Sequence, residues 1–303
     1  MKIAILTKLP GYYTEQRLAE EATKRGHGVE MLRYPACYVV LGEHGGKVLH
    51  DGQEVSGVDA VIPRSFAGSL NYGVAVLRQL ESNDIYTTSK SLAIMRAVDM
   101  LRSTQILSRK GVDVPKSVFL REPSQADELI DYVGLPAVVR VPSASNRRDS
   151  SSTILAETRK AVASVMRAFY VTDATFILQE YVSADNATSV RAYVVGSSVV
   201  ASAKRAGVNI SDQTSGKGDR LTGIAVLTES QKKMAVKAAK ALGLNICSVD
   251  LIVSNDRAVV VGIDPYAGIE NLEKATGRNI AAKIIEYVEM NAKRHNKKDK
   301  VGA

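Results

Sequence analysis

Residues Leu244–Glu270 read LNICSVDLIVSNDRAVVVGIDPYAGIE, and this stretch decides the fold. Two apolar runs, Ile246–Val253 and Ala258–Ile263, flank the polar turn Ser254-Asn255-Asp256-Arg257. Runs rich in Val and Ile around a short polar break predict a β-hairpin. Asp250 stands inside the first run and Asp264 ends the second. A carboxylate within an apolar strand is costly to bury unless something pairs with it. The two acids therefore demand partners from elsewhere in the chain.

Working outward, Thr228–Leu242 predicts a helix, with Thr228 and Gln231 spaced as a capping box and Gly243 as its stop. Downstream, Arg278–His295 carries Ile280, Ile284, Ile285 and Val288 on one helical face. Upstream, Arg191–Ala203 predicts a second hairpin turning at Gly196-Ser197, and Thr175–Val182 a strand. Ser117–Leu120, a helix from Ser124 to Tyr132 and Ala137–Val141 predict a βαβ-like unit, followed by a helix over Glu157–Phe169. At the N-terminus, strands at Lys2–Thr7, Gly28–Arg33 and Val58–Pro63 alternate with helices from Thr14 through Arg25 and over Leu70–Glu81. That alternation predicts a parallel sheet covered on its faces. Ser89–Arg109 reads as a helix broken near Ala97-Val98. Arg64 follows the third strand, at an edge of the kind that lines clefts in open α/β sheets; it is a candidate anion contact or a plain surface arginine.

The motifs together resemble the RimK branch of the ATP-grasp ligases, nearly end to end, from MKIAIL at the start to NLEKATGRNIAAKII near the end. The resemblance implies an α/β (α+β) ATP-grasp fold. Its expected units are an N-terminal pre-ATP-grasp domain over 1–90, a central subdomain over 91–180, a C-terminal subdomain over 181–290, and a disordered basic tail over 291–303. It further implies ATP with magnesium or manganese. Asp250 and Asp264 would be the metal ligands. Arg140, Gln179, Glu180, Tyr181, Val182, Lys204 and Arg205 would sit around the nucleotide, and Arg191 would meet substrate or phosphate.

The chain departs from the family pattern where chemistry is done. The family hairpin ends in a pattern like M-E-V-N-x-S-P-G-L-E. Here Gly262 replaces the glutamate, Asp264 the asparagine, and Ala267-Gly268 the Pro-Gly, while Glu270 remains. Met100 stands at a phosphate-binding lysine position, and methionine offers neither charge nor donor. Arg140 replaces another lysine. The phosphate loop is Pro142-Ser143-Ala144-Ser145-Asn146-Arg147-Arg148-Asp149-Ser150-Ser151-Ser152, with no glycine to let backbone N–H groups approach an anion. Ser189 stands in place of an acid, and Gly207–Gly223 keeps little of the family's substrate loop.

The expectation is a RimK-like scaffold or regulatory protein that has lost ligase activity. Its partners would be a homo- or hetero-oligomeric assembly or an active paralog. The first alternative is a working ATP-dependent ligase adding glutamate to a protein C-terminal tail, such as that of ribosomal protein S-six. The second is a basic RNA- or ribosome-binding module.

Composition narrows the classes. The net charge is +8, and Lys293, Arg294, Lys297, Lys298 and Lys300 against Asp299 place half of it in the tail. Such a tail meets RNA or acidic protein, or is simply solvated. With four Phe and no Trp in 303 residues, stacking platforms for bases are scarce. No apolar run approaches the roughly 18 residues of a membrane span, and the chain enters a strand without a signal-peptide pattern. Cys37 and Cys247 are expected to be free thiols in a reducing cytoplasm.

Overall fold

The computed structural model describes residues 1–42, 45–64, 66, 68–141, 153–170, 175–182, 188–205, 221–253 and 257–296. The chain opens with β1 (Lys2–Thr7), α1 (Tyr13–Lys24) and β2 (Gly28–Arg33), followed by a meander of β3 (Cys37–Gly42), β4 (Gly45–His50) and β5 (Gln53–Glu54). It continues through β6 (Ala60–Pro63), α2 (Leu70–Ser82) and β7 (Tyr86–Thr87). Strands β2-β1-β6-β7 form a parallel sheet. Ile3 to Leu6 are fully buried, as expected of a parallel strand covered on both faces. The β3–β5 meander is not anticipated by sequence, because Tyr38, Val40 and Leu41 are exposed and leave no clean alternation. Thr14, expected to cap the first helix, lies inside it; its hydroxyl instead accepts from the Ile269 backbone N–H at 3.1 Å.

Helices α3 (Ser91–Val98) and α4 (Met100–Arg109) break at Asp99, whose carboxylate caps α4 by accepting from Arg102 N at 2.9 Å. The next elements are β8 (Ser117–Leu120), α5 (Ala126–Val133), β9 (Ala137–Arg140), β10 (Thr153–Ala156), α6 (Arg159–Tyr170) and β11 (Phe176–Glu180). They build a sheet of order β10-β9-β11-β8 with a core of its own, centred on Phe176, Leu178, Val139 and Met166. The expected βαβ unit is split: β11 runs antiparallel between β8 and β9 and separates them.

The last unit contains β12 (Thr188–Val195), β13 (Ser198–Arg205), β14 (Leu221–Ile224), α7 (Glu229–Leu242), β15 (Ile246–Val253), β16 (Ala258–Asp264), α8 (Glu270–Thr276) and α9 (Ile280–Asn296). Its five strands form an antiparallel sheet of order β14-β13-β12-β15-β16. Helix α7 packs on one face, sharing a core with Val190, Ala192, Val249, Leu251 and residues of α3 and α4. Helix α9 contributes Ile280, Ile284, Ile285 and Val288 to a second core that includes Ile3, Ile5 and Tyr193. The disordered tail expected from residue 291 is corrected in part: α9 continues to Asn296. Residues 297–303 lie outside the described residues, as do the turn residues Ser254, Asn255 and Asp256, the loop with Arg147 and Arg148, and most of 207–223.

Candidate functional site

The floor of the candidate site is one face of the five-stranded sheet. Arg191 on β12 stands opposite Asp250 on β15, and Asp250 stands opposite Gly262 on β16. Ser248 pairs with Asp264 in the same ladder. Alternate residues of a strand share a face, so Asp250, Ser248, Arg191 and Asp264 lie on one side. Asp250 and Asp264 are diagonal neighbours, a relation that typically spans about 7–8 Å. The other face of the sheet is the one covered by α7.

Asp250 is 7% exposed and meets two cations. Arg191 donates from Nε to Oδ1 at 2.8 Å and from Nη2 to Oδ2 at 3.1 Å; Arg205 donates from Nη1 to Oδ2 at 3.0 Å. This is the partner that a buried acid requires. Asp250 is thus clamped between two guanidinium groups. Asp264 Oδ1 accepts from Tyr266 N at 2.8 Å. Burial, and next the charge of Asp264, pushes the Tyr266 hydroxyl well above the ordinary phenol range, so it stays protonated.

The remaining sequence candidates divide between two sheets. Lys204 is exposed beside Arg205 on β13. Arg140, Gln179 and Glu180 belong to the central sheet, where Arg140 stands opposite Ile177 and Glu180 opposite Ala137. Gln179 is buried and donates to Ser117 Oγ at 3.0 Å. Glu180 accepts from Lys116 N at 3.0 Å and from Arg257 Nη1 at 2.8 Å. Burial disfavours its ionised form, but the Lys116 N–H and the Arg257 guanidinium outweigh that and hold its carboxyl below the usual range. Tyr181 and Val182 follow β11, both half-buried. Arg257, read from sequence only as part of a turn, ties the hairpin to the central sheet; no residue pattern signals that contact.

Arg64 is not at the surface. It is 4% exposed and donates from Nη2 to the carbonyls of Tyr266 and Ala267 at 3.1 and 3.2 Å. Its Nε lies 3.7 Å from Glu15 Oε1, and Glu15 also accepts from Thr7 Oγ1 at 3.1 Å. Arg64 thereby fastens the N-terminal sheet to the loop that follows Asp264.

This architecture has close counterparts among known proteins. The chain matches the RimK-like ATP-grasp domain over residues 97–288 and the RimK pre-ATP-grasp domain over residues 1–94. The chain belongs to the RimK family of ATP-grasp proteins. It is 39% identical over 297 residues to a probable alpha-L-glutamate ligase of a Picosynechococcus species, covering 96% of each chain. A protein of the same description from Hydrogenovibrio crunogenus is 37% identical over 98% of each. Among solved structures, the ATP-grasp ligase PsnB, in complex with precursor peptide PsnA2 and AMPPNP, superposes with a TM-score of 0.75 at 18% identity, covering 96% of this chain and 97% of PsnB. A RimK-domain ATP-grasp protein of Sphaerobacter thermophilus gives 0.67 at 18% identity, covering 95% of this chain and all of that one. These structures establish the RimK-like ATP-grasp fold.

The family implies ATP with a divalent cation, and the donor set fits that group in part. Magnesium is commonly held by one or two carboxylates together with substrate phosphates and water. Asp250 and Asp264 supply two carboxylates on one face. Gly262 supplies none, and among the described residues no group of three or more His, Cys, Asp or Glu is placed to hold a metal. The described residues fit one hard cation shared with a nucleotide.

Proposed function

We propose that this RimK-family protein is an ATP-dependent carboxylate–amine ligase of reduced turnover, acting on the terminal carboxylate of a protein or peptide. The observation that carries the reading is the joint placement of Arg191, Arg205, Asp250 and Asp264 on one sheet face. Phosphoryl transfer asks the protein chiefly for alignment and charge neutralisation. Magnesium bound with ATP would neutralise phosphate charge, and Asp250 and Asp264 are the residues that would hold it. Arg191 and Arg205 supply fixed positive charge for a carboxylate or for phosphoryl oxygens, while Lys204, paired with Val190, lies on the opposite face of the sheet. The relatives named probable alpha-L-glutamate ligases support glutamate as the amine donor, and the peptide-bound PsnB complex supports a peptide acceptor.

Turnover is set low by Gly262, which leaves no side chain opposite Asp250. Losing one preorganised charge contact typically costs about 2.7–4 kcal/mol, or roughly 10²–10³-fold in rate. A second reading, a binding protein without ligation, is favoured by one observation: both oxygens of Asp250 are already engaged by arginines. ADP release in the presence of ATP, magnesium, glutamate and an acceptor peptide separates the two. The ligase reading expects slow release that disappears in Asp250→Asn and rises about 10²-fold in Gly262→Glu. If neither the native chain nor Gly262→Glu releases ADP, while ATP still raises the melting temperature, the binding reading replaces it.

A further inference from the structure

Helix α7 has an outer side that the candidate site does not use. Its inner side buries Ala235, Ala238, Ala239 and Leu242. The outer side helps wall a groove of about 790 Å³, lined by Lys232, Lys233, Lys237 and Lys240 of α7, by Lys110 at the end of α4, and by Glu229. Five lysines face a single acid there. Lys232 is 2.7 Å from Glu229, and Lys237 donates to the Gly111 carbonyl at 2.6 Å. Lys110, Lys233 and Lys240 remain exposed. Ser197 and Ser198, at the turn between β12 and β13, close one side.

We propose that this groove binds an acidic peptide segment in extended form. The volume is that of a ligand pocket, roughly 300–1,000 Å³, which suits a single strand and not a duplex. No aromatic side chain is among the lining residues, so nucleobases find no stacking platform. From Lys233 to Lys240 the helix rises by about 10 Å at 1.5 Å per residue. An extended peptide covers that distance in about three residues, so acidic side chains two residues apart meet successive lysines. Val199, Val236 and Ala241 give the groove apolar wall for the methylenes of such side chains. Lysine acts as a point charge without a fixed fork, so the groove selects acidity over a defined sequence. Because α7 covers the sheet face opposite Asp250, this inference does not rest on the ligase reading.

The test is fluorescence anisotropy of the full chain with a labelled oligo-α-glutamate, an oligoglutamine and a single-stranded oligothymidylate of equal charge. Oligoglutamate is expected to bind, to weaken with added salt, and to lose about tenfold or more in affinity in Lys233→Glu/Lys240→Glu. Both positions are exposed on the helix, and a neutral Lys233→Gln/Lys240→Gln variant repeats the test with a smaller perturbation. Oligoglutamate affinity unmoved by either variant overturns the proposal, as does failure of oligoglutamate to bind. Tighter, lysine-dependent binding of oligothymidylate also overturns it and makes the groove a nucleic-acid surface.

Discussion

Arg64 shows how a single side chain changes meaning between sequence and structure. Its place after a parallel strand suggests a cleft-facing anion contact; in the fold its guanidinium is buried, donates from Nη2 to the carbonyls of Tyr266 and Ala267, and lies 3.7 Å from Glu15. Removing one member of a buried charged pair typically costs about 3–5 kcal/mol, because the other is left uncompensated. Arg64→Leu is therefore expected to lose about that much stability, measured by urea unfolding at neutral pH. A loss below about 1 kcal/mol would show that these contacts contribute no more than an exposed ion pair does. Asp250 behaves in the opposite way. Its burial in an apolar run predicts a partner from sequence alone, and Arg191 and Arg205 are that partner. Their identity was not legible, because they reach Asp250 across strand pairings about 45 and 59 positions away in the chain.

At the scale of elements, the helix with the strongest local signals is the one sequence describes best. Thr228 Oγ1 accepts from Gln231 N at 3.2 Å, and the Gln231 side chain accepts from Thr228 N at 2.9 Å. Gly243 ends the helix in the left-handed region at φ 82°. Thr228→Ala is expected to lower stability by about 1 kcal/mol, read as a shift of the denaturation midpoint without a change of slope. The hairpin from Ile246 is equally legible, since its apolar runs and polar turn are local. The glycine in the first turn of α2 was not. A Cβ on Gly73 would lie 2.5 Å from Phe66, whose ring sits edge-on to both Tyr34 and Tyr266 at 5.3 Å. Only the packed ring explains why a residue unfavourable to helices stands there.

At the scale of the molecule, α1 and α9 join the first and last parts of the chain. Arg25 reaches Glu286 at 2.8 Å and Glu289 at 3.2 Å, while Asn279 donates to Glu21 at 2.8 Å. The Asn279 amide first, and then the Arg17 guanidinium, hold the Glu21 carboxyl below its usual range; Lys283 and then Arg25 do the same for Glu286. A depressed folded-state pKa gives stability that is complete above the unfolded value of about 4.3 and is lost as the pH falls through the folded value. Melting temperature is expected to fall on acidification below about pH 4.3, with a shallower fall in Glu21→Gln/Glu286→Gln. An unchanged acid slope in that variant would place the acid-labile contacts elsewhere. No helix among the described residues is long and apolar enough to cross a membrane. The sequence by itself determined what depends on near neighbours: apolar periods, the Thr228 capping box, a helix break near Ala97-Val98 that falls at Asp99, and the residue types that mark the RimK pattern. It also showed that Gly262 and Met100 bring no charge, since side-chain chemistry does not depend on folding. Tertiary structure decided what depends on distant chain meeting in space. It inserted β11 between β8 and β9, turned Arg64 inward and carried α9 through Asn296. It also closed two arginines on Asp250, because a buried carboxylate takes whichever cations the sheet register brings to its face.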